Sequence, residues 1–326
     1  MIAEAYKSLS SIIRKNWFVM LLVLITILTR LPILHYESIP FTFDHGKDSL
    51  AVMDLVLNRN VKLIGPWTSI PGLFFGPAWY YLLAPSFIIF TGEPVGFVWT
   101  MLFLVVLEII LLHRFFGKTA ALVLFTIFHY NLWYLIGLFP LYIISFAQLL
   151  EYIAHGLEGK MKIAMYVLFV LYLVTPITKT YLFITKDYMV QQNSSTFLPV
   201  KKRTLASIRS EAGTRPFASY QFAAHIYDFD WQYLYFLDGL KQRTLPTQFA
   251  YQEEYGKYAV EKDDLESYFS HDGNQKPELV FHIMEITPGS EEMRKGWINS
   301  QVKVPIYKTW QESDSIIVLA GKHTSK

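Results

Sequence analysis

Six apolar runs, 17–34, 72–91, 95–112, 119–136, 138–154 and 161–184, dominate the first 184 residues and constrain the fold more than any other feature. Each is close to the ~17–25 residues that an α-helix needs to cross a bilayer. A segment in hydrocarbon must satisfy its own backbone polar groups, so helices are the expected form. Charge divides the chain in the same place. Residues 1–184 carry 12 Lys and Arg and 9 Asp and Glu, whereas residues 185–326 carry 17 and 18. The first part reads as an integral membrane domain and the second as an ordinary water-soluble segment. A net charge of +2 gives no nucleic-acid signature. The absence of cysteine excludes disulfides and Cys-ligated zinc.

Run 72–91 is expected to lie in the membrane interface and not to cross. Pro77 and Pro85 interrupt it, and proline inside a helix removes a backbone donor and bends the chain. The distribution of cations agrees. If 72–91 does not cross, Arg114, Lys118, Lys160 and Lys162 fall on the same side as Lys7, Arg14 and Lys15, as the positive-inside rule prefers. The expectation is about five spans, with the N-terminus inside and the C-terminal domain outside. The fold class is therefore an α-helical integral membrane domain with an interfacial outer loop, followed by a small exported α/β domain. The boundaries read as 1–184 for the membrane domain, with outer loop 36–92, then a linker at 185–214 and an extracytoplasmic domain at 215–326.

The outer loop holds the residues most suited to chemistry. Phe43-Asp44-His45-Gly46-Lys47-Asp48 sets two carboxylates four residues apart, and 47–58 has the apolar spacing of a short amphipathic helix. An acid held at the membrane surface can deprotonate an acceptor hydroxyl or hold a cation against a phosphate. The bland alternative is that Asp44 and Asp48 cap and solvate a surface helix. Arg30 and Lys179, near outer span ends, are either snorkelling cations or ligands for a lipid phosphate. Glu108, in mid-span, is expected to face other helices.

Beyond 215, β-like runs at 217–224, 247–252, 278–286, 302–309 and 315–320 alternate with helix candidates at 229–240 and 289–299. This pattern predicts a small α/β domain on a mixed sheet. The aromatic run from Tyr227 to Phe236 suits core and docking contacts more than an open stacking surface.

Residues 17–92 resemble the start of GT-C superfamily membrane glycosyltransferases of the family thirty-nine type, which includes protein O-mannosyltransferases and aminoarabinose transferases. The resemblance rests on Arg30-Leu31-Pro32, Phe43 to Asp48, Leu63-Ile64-Gly65-Pro66, Gly76 to Pro85, and a span ending in His113 to Lys118. It implies a glycosyltransferase that uses a polyprenyl-phosphate-linked sugar on the outer face of a bacterial cytoplasmic membrane, with the middle spans shortened. It further implies Asp44 as general base or metal-linked acid, supported by Asp48, with a divalent ion the one cofactor to be considered. Arg30, Lys47, Trp79, Tyr80 and Lys179 become the substrate-binding candidates. The alternative is a non-catalytic anchor or assembly subunit, whose exported domain binds a membrane protein partner or a polysaccharide.

Overall fold

In a computed structural model the chain is described at residues 16–28 except 18, 39–66, 74, 76–127, scattered positions between 152 and 178, 194–222, 227–249, 260–269 and 276–323. It divides into two compact units. One comprises Met1–His35 and Trp99–Met189, the other Tyr36–Val98 and Val190–Lys326. The outer loop thus belongs to the same unit as the C-terminal α/β residues.

That mixed unit is built on a four-stranded sheet. Its strands are β1 (Phe217–Phe222), β2 (Leu279–Glu285), β3 (Ile306–Ser313) and β4 (Ile316–Lys322), in the order β1-β2-β4-β3. β1 and β2 are parallel, and β4 is antiparallel to both β2 and β3. Strand alternation puts Phe217, Ser219, Gln221, Phe281, Ile283, Glu285 and Val318 on one face, and all are buried. The opposite face carries Tyr220, Phe222 and His282. Trp297, from the helix Glu291–Gln301, lies against Phe222 at 5.9 Å and His282 at 5.8 Å. The free edge of β1 is closed by residues 247–248, through Thr247 N–H to the Phe217 carbonyl and Ser219 N–H to the Gln248 carbonyl, both 2.8 Å.

Six helices of the mixed unit and its flanks matter below: α1 (Phe43–Leu57), α2 (Ala78–Ile89), α3 (Pro94–Ile127), α4 (Leu198–Ala212), α5 (Phe229–Gln242) and α6 (Val260–Tyr268). Several bounds differ from expectation. α1 begins at Phe43 and not at 47, because Thr42 and His45 close a capping box ahead of the apolar spacing. Within the expected linker 185–214, Leu198–Ala212 form α4, with Leu198, Leu205, Ile208 and Ala212 buried along one stripe, while 185–193 lie outside the described residues. The expected loop 113–118 is helical within α3, and it contains no proline to stop it. β3 starts four residues later than the run that predicted it.

α1 packs across α5 with its backbone almost touching. A Cβ on Gly46 would fall well inside contact with Asp230 N, Asp230 Cα and Phe229 C. Two extended strips fix the entries of the helices. Phe41 N–H donates to the Thr196 carbonyl (2.7 Å) and Leu198 N–H to the Ile39 carbonyl (2.9 Å), pairing the approach to α1 with the approach to α4. At the far end of α1, the buried Asp54 accepts from Asn58 (2.8 Å), Asn60 (3.0 Å) and Lys62 (2.6 Å). Asn58 also donates to the Asp264 carbonyl (3.0 Å), which ties in α6.

In the helical unit, a short apolar helix over Val19–Leu28 buries Val19, Leu22 and Thr26 on one side. α3 runs on from the mixed unit, and buries Leu102, Val105, Ile109 and Leu112 while exposing Phe103, Leu107, Ile110, Leu111 and Phe115. Glu108 is half-buried beside that inward stripe. Among the described residues one helix is long and apolar enough to cross a membrane, over Pro94–Phe115 with mean hydropathy 2.6. Most of the later apolar runs, from 128 to 184, lie outside the described residues.

Gly46→Ala is expected to lower stability by about 3 kcal/mol or more, the upper end for overpacking, because the obstructing atoms are backbone. Gly296→Ala, in a helix with open space around it, is expected to raise stability by about 1 kcal/mol. Thermal unfolding in detergent checks both. Equal shifts for the pair would contradict the close approach of α1 and α5.

Candidate functional site

The site follows from how α1 is held. At 100° per residue, Gly46, Ser49, Leu50 and Met53 share the side that is buried, whereas Asp44, Lys47 and Asp48 lie on the other and are half-buried. Docking through Gly46 therefore sets the two acids on the side of α1 away from α5, a side that also carries the buried Ala51 and Val52. Asp44 sits in the first turn of α1, where the positive end of the helix dipole favours a carboxylate. Asp48 stands one turn on and accepts a hydrogen bond from Trp79 Nε1 at 2.8 Å, which ties α1 to the first turn of α2. Tyr80, the next residue, is 5 % exposed and belongs to the core.

Behind the acids lies His45, whose ring stacks on Phe41 at 6.2 Å. Its Nδ1 accepts from the Thr42 backbone N–H (3.3 Å) and lies 2.9 Å from the Thr42 hydroxyl. An Nδ1 that accepts a backbone hydrogen bond leaves the ring proton of neutral His45 on Nε2. Burial lowers the pKa of His45. The charges of Asp44 and Asp230 oppose that shift and Lys201 adds to it.

Beneath His45 is a buried ionic cluster that the sequence analysis did not single out. Lys201 of α4 donates to Asp230 of α5 and to Glu285 Oε1, the latter at 3.1 Å. Trp231 Nε1 donates to the same Glu285 oxygen at 2.9 Å, and its ring lies 4.8 Å from the Lys201 ammonium. All four residues are at most 4 % exposed. Burial alone would lower the Lys201 pKa, but Asp230 and then Glu285 raise it on balance. The second Asp230 oxygen is buried and has no hydrogen-bond partner among the described residues. One signal was present in the sequence: Lys201 falls on the apolar stripe of α4, where a cation needs a buried partner.

Asp44, Lys47, Asp48 and Trp79 are thus brought to one region, with Tyr80 packed beneath. Arg30 and Lys179 lie outside the described residues. Among the described residues no group of three His, Asp or Glu side chains is arranged to hold a metal ion. Asp44 and Asp48 can act as proton acceptors or hold a cation jointly with a bound phosphate, while the Lys201 cluster supports the turn that carries them. Comparison with protein-family models, curated proteins and solved structures finds no match to this chain.

Lys201→Met would leave two buried carboxylates without their cation, a change that costs about 3–5 kcal/mol. The variant should unfold at lower temperature at neutral pH and recover part of the loss in acid, where the carboxylates take up protons. Equal destabilisation at both pH values would show that packing, not charge, is what Lys201 supplies.

Proposed function

We propose that the protein is a membrane glycosyltransferase that moves a sugar from a polyprenyl-phosphate carrier to an acceptor hydroxyl at the outer face of a bacterial cytoplasmic membrane. The observation that carries this reading is the pair Asp44 and Asp48, half-buried on successive turns of a helix whose other side is locked by Gly46. The ordered motifs from Arg30 to Pro85 and on to Lys118 support the same reading by resemblance. Asp44 is the general base: it accepts the proton of the acceptor hydroxyl as that oxygen attacks the anomeric carbon, and the carrier phosphate departs with the bonding electrons. Inversion at the anomeric carbon follows from single displacement. Asp48, held by Trp79, supports the charge of Asp44 and the packing of α2, and Lys47 stands beside them for the leaving phosphate.

The proposed topology is five spans with the N-terminus inside and the mixed unit outside. Two facts support it. α2 has 12 residues, about 18 Å of helix, too short to cross. The mixed unit also contains both Tyr36–Val98 and Val190–Lys326, and a compact unit lies on one side of a membrane. The chain between Val98 and Val190 must then cross an even number of times; because α3 is unbroken from Pro94 to Ile127, 95–112 and 119–127 lie on one helix, and the five-span count needs its turn elsewhere than at 113–118. A topology reporter fused after Lys326 should be active only outside the cytoplasm, and one fused after Lys7 should be silent there. An active reporter at both places would require an even total of spans and remove the topology.

Asp44→Asn should lower transfer from a polyprenyl-phosphate hexose by about 10²–10⁴-fold, the range for loss of a general base, with membrane insertion unchanged. Asp48→Asn should be milder, because an amide oxygen still accepts from Trp79. Equal and small effects at both positions would leave the acids as helix caps and favour the non-catalytic anchor.

A further inference from the structure

The face of the sheet away from α4 and α5 is roofed by the helix Glu291–Gln301, and the roof is thin. No residue of that helix is buried; Arg294, Trp297 and Ile298 are half-buried and the rest are exposed. Yet His282 beneath it is only 1 % exposed. Its ring packs beside Trp297, edge-on at 5.8 Å, and beside Tyr220 of β1 at 6.1 Å. His282 Nδ1 is buried and has no hydrogen-bond partner among the described residues. A neutral imidazole donates from one nitrogen, whereas a charged one donates from both. A charged His282 would therefore bury an N–H that has no acceptor, at the full cost of its desolvation.

The helix is tethered at both ends. At its start, Ser290 Oγ donates to the Thr287 carbonyl (2.8 Å) and accepts from the Thr287 N–H (3.3 Å). Gly289, inside that turn, has φ +80° and open space around it, a backbone conformation that glycine adopts without strain. At its end, Val304 lies over Gly321, where a Cβ would meet it, and Lys322 N–H donates to the Pro305 carbonyl at 3.2 Å. Between these tethers Trp297 reaches down to the sheet, 5.9 Å from Phe222 as well as beside His282. On the sheet, the same face places Val280 and Met284 of β2, Ile317 and Leu319 of β4 and Tyr220 of β1 around the imidazole. The charged groups of the roof are Glu291 and Lys295, paired at 2.9 Å, exposed Glu292 and half-buried Arg294. His282 is the only imidazole among these groups, the side chain whose charge ordinarily changes between about pH 5 and 8.

We propose that the helix Glu291–Gln301 is an acid-released lid, which pivots at Gly289 and lifts from the sheet when His282 takes up a proton. Closed, it covers Phe222, Tyr220 and His282. Open, it gives the charged ring to water and uncovers an aromatic surface. Burial lowers the His282 pKa from the ordinary 6.5 to about 4, and the Gln301 backbone opposes that shift. A value depressed in the closed state gives a definite sign. The contribution of His282 to closure is complete above pH 6.5 and is lost as pH falls toward 4. The lid lies on the other face of the sheet from α5 and α1, so it does not depend on glycosyl transfer.

The chain has no cysteine, so single thiols report cleanly. Full-length protein in detergent carries Phe222→Cys, beneath the lid, or Met293→Cys, exposed on top of it. Each is labelled with an aromatic disulfide reagent that stays active in acid. The rate at 222 divided by the rate at 293 measures how often the lid opens. That ratio should rise about thirtyfold from pH 7.5 to pH 5, the factor implied by a closed-state value of about 4 and an open-state value of 6.5. In His282→Phe, or in His282→Gln should the phenyl ring not fit, the ratio should not change with pH. Trp297→Ala should leave position 222 open at both pH values and so set the upper limit. Val318→Cys, buried on the other face of the sheet, should stay protected throughout. A ratio indifferent to pH with His282 in place would overturn the proposal. So would the same rise in the His282 variants, which would assign the release to another group. Exposure of position 318 in step with 222 would overturn it too, since the whole unit would then be opening.

Discussion

The contact between Gly46 and the first turn of α5 governs the mixed unit. Two helix backbones can come this close only where one of them has no side chain, and here the obstruction would be main-chain atoms of Phe229 and Asp230. The contact has an indirect effect on the opposite side of α1. Because Gly46, Leu50 and Met53 are committed inward, Asp44 and Asp48 have no freedom to turn elsewhere. The position of the acids is thus set by a residue with no functional group. Asp230 links this contact to the polar interior, since its backbone receives Gly46 while its carboxylate binds Lys201.

Placing three charged groups under that contact is costly, and hydrophobic replacements of such groups are often no less stable. Their value here is positional. Lys201 comes from α4, Asp230 from α5 and Glu285 from the end of β2, so one ammonium fixes three elements that are distant in the sequence. Trp231 closes the arrangement by donating to Glu285 and covering the ammonium with its ring. The Asp54 group works differently. Its donors Asn58, Asn60 and Lys62 are local, and the partner at Asp264 lies 206 residues from Asn58. One cluster holds the start of α1 and the other its end.

Local patterns were legible in the sequence and long-range ones were not. The β-like runs located β1, β2 and β4 to within two residues, and the helix candidate at 229–240 located α5. The order β1-β2-β4-β3 could not be read, because parallel pairing of β1 with β2 depends on contacts across α5 and α6. The pair Asp44 and Asp48 was visible as a four-residue spacing. That Trp79 would bond Asp48 and Tyr80 would be buried was not, since adjacent aromatics in an apolar run give no indication of which points inward. α4 was hidden by its cations: Lys201-Lys202-Arg203 reads as a polar linker until Lys201 is placed on the apolar stripe. The assignment of the outer loop to the α/β unit was hidden by distance, as the bond from Tyr233 to Gly92 spans 141 residues.

A unit assembled from two separated stretches also limits how its membrane part can vary. Both ends of the segment 99–189 are attached to one compact body, and in the proposed topology that body stays on one side of the bilayer. Crossings between those ends can then be gained or lost only in pairs, whatever the positions of the intervening turns. The Gly46 contact and the hydrogen bonds of Lys201 to Asp230 and Glu285 are made within the mixed unit, so a change in the number of crossings does not remove them. A short membrane domain is therefore compatible with an intact acidic turn.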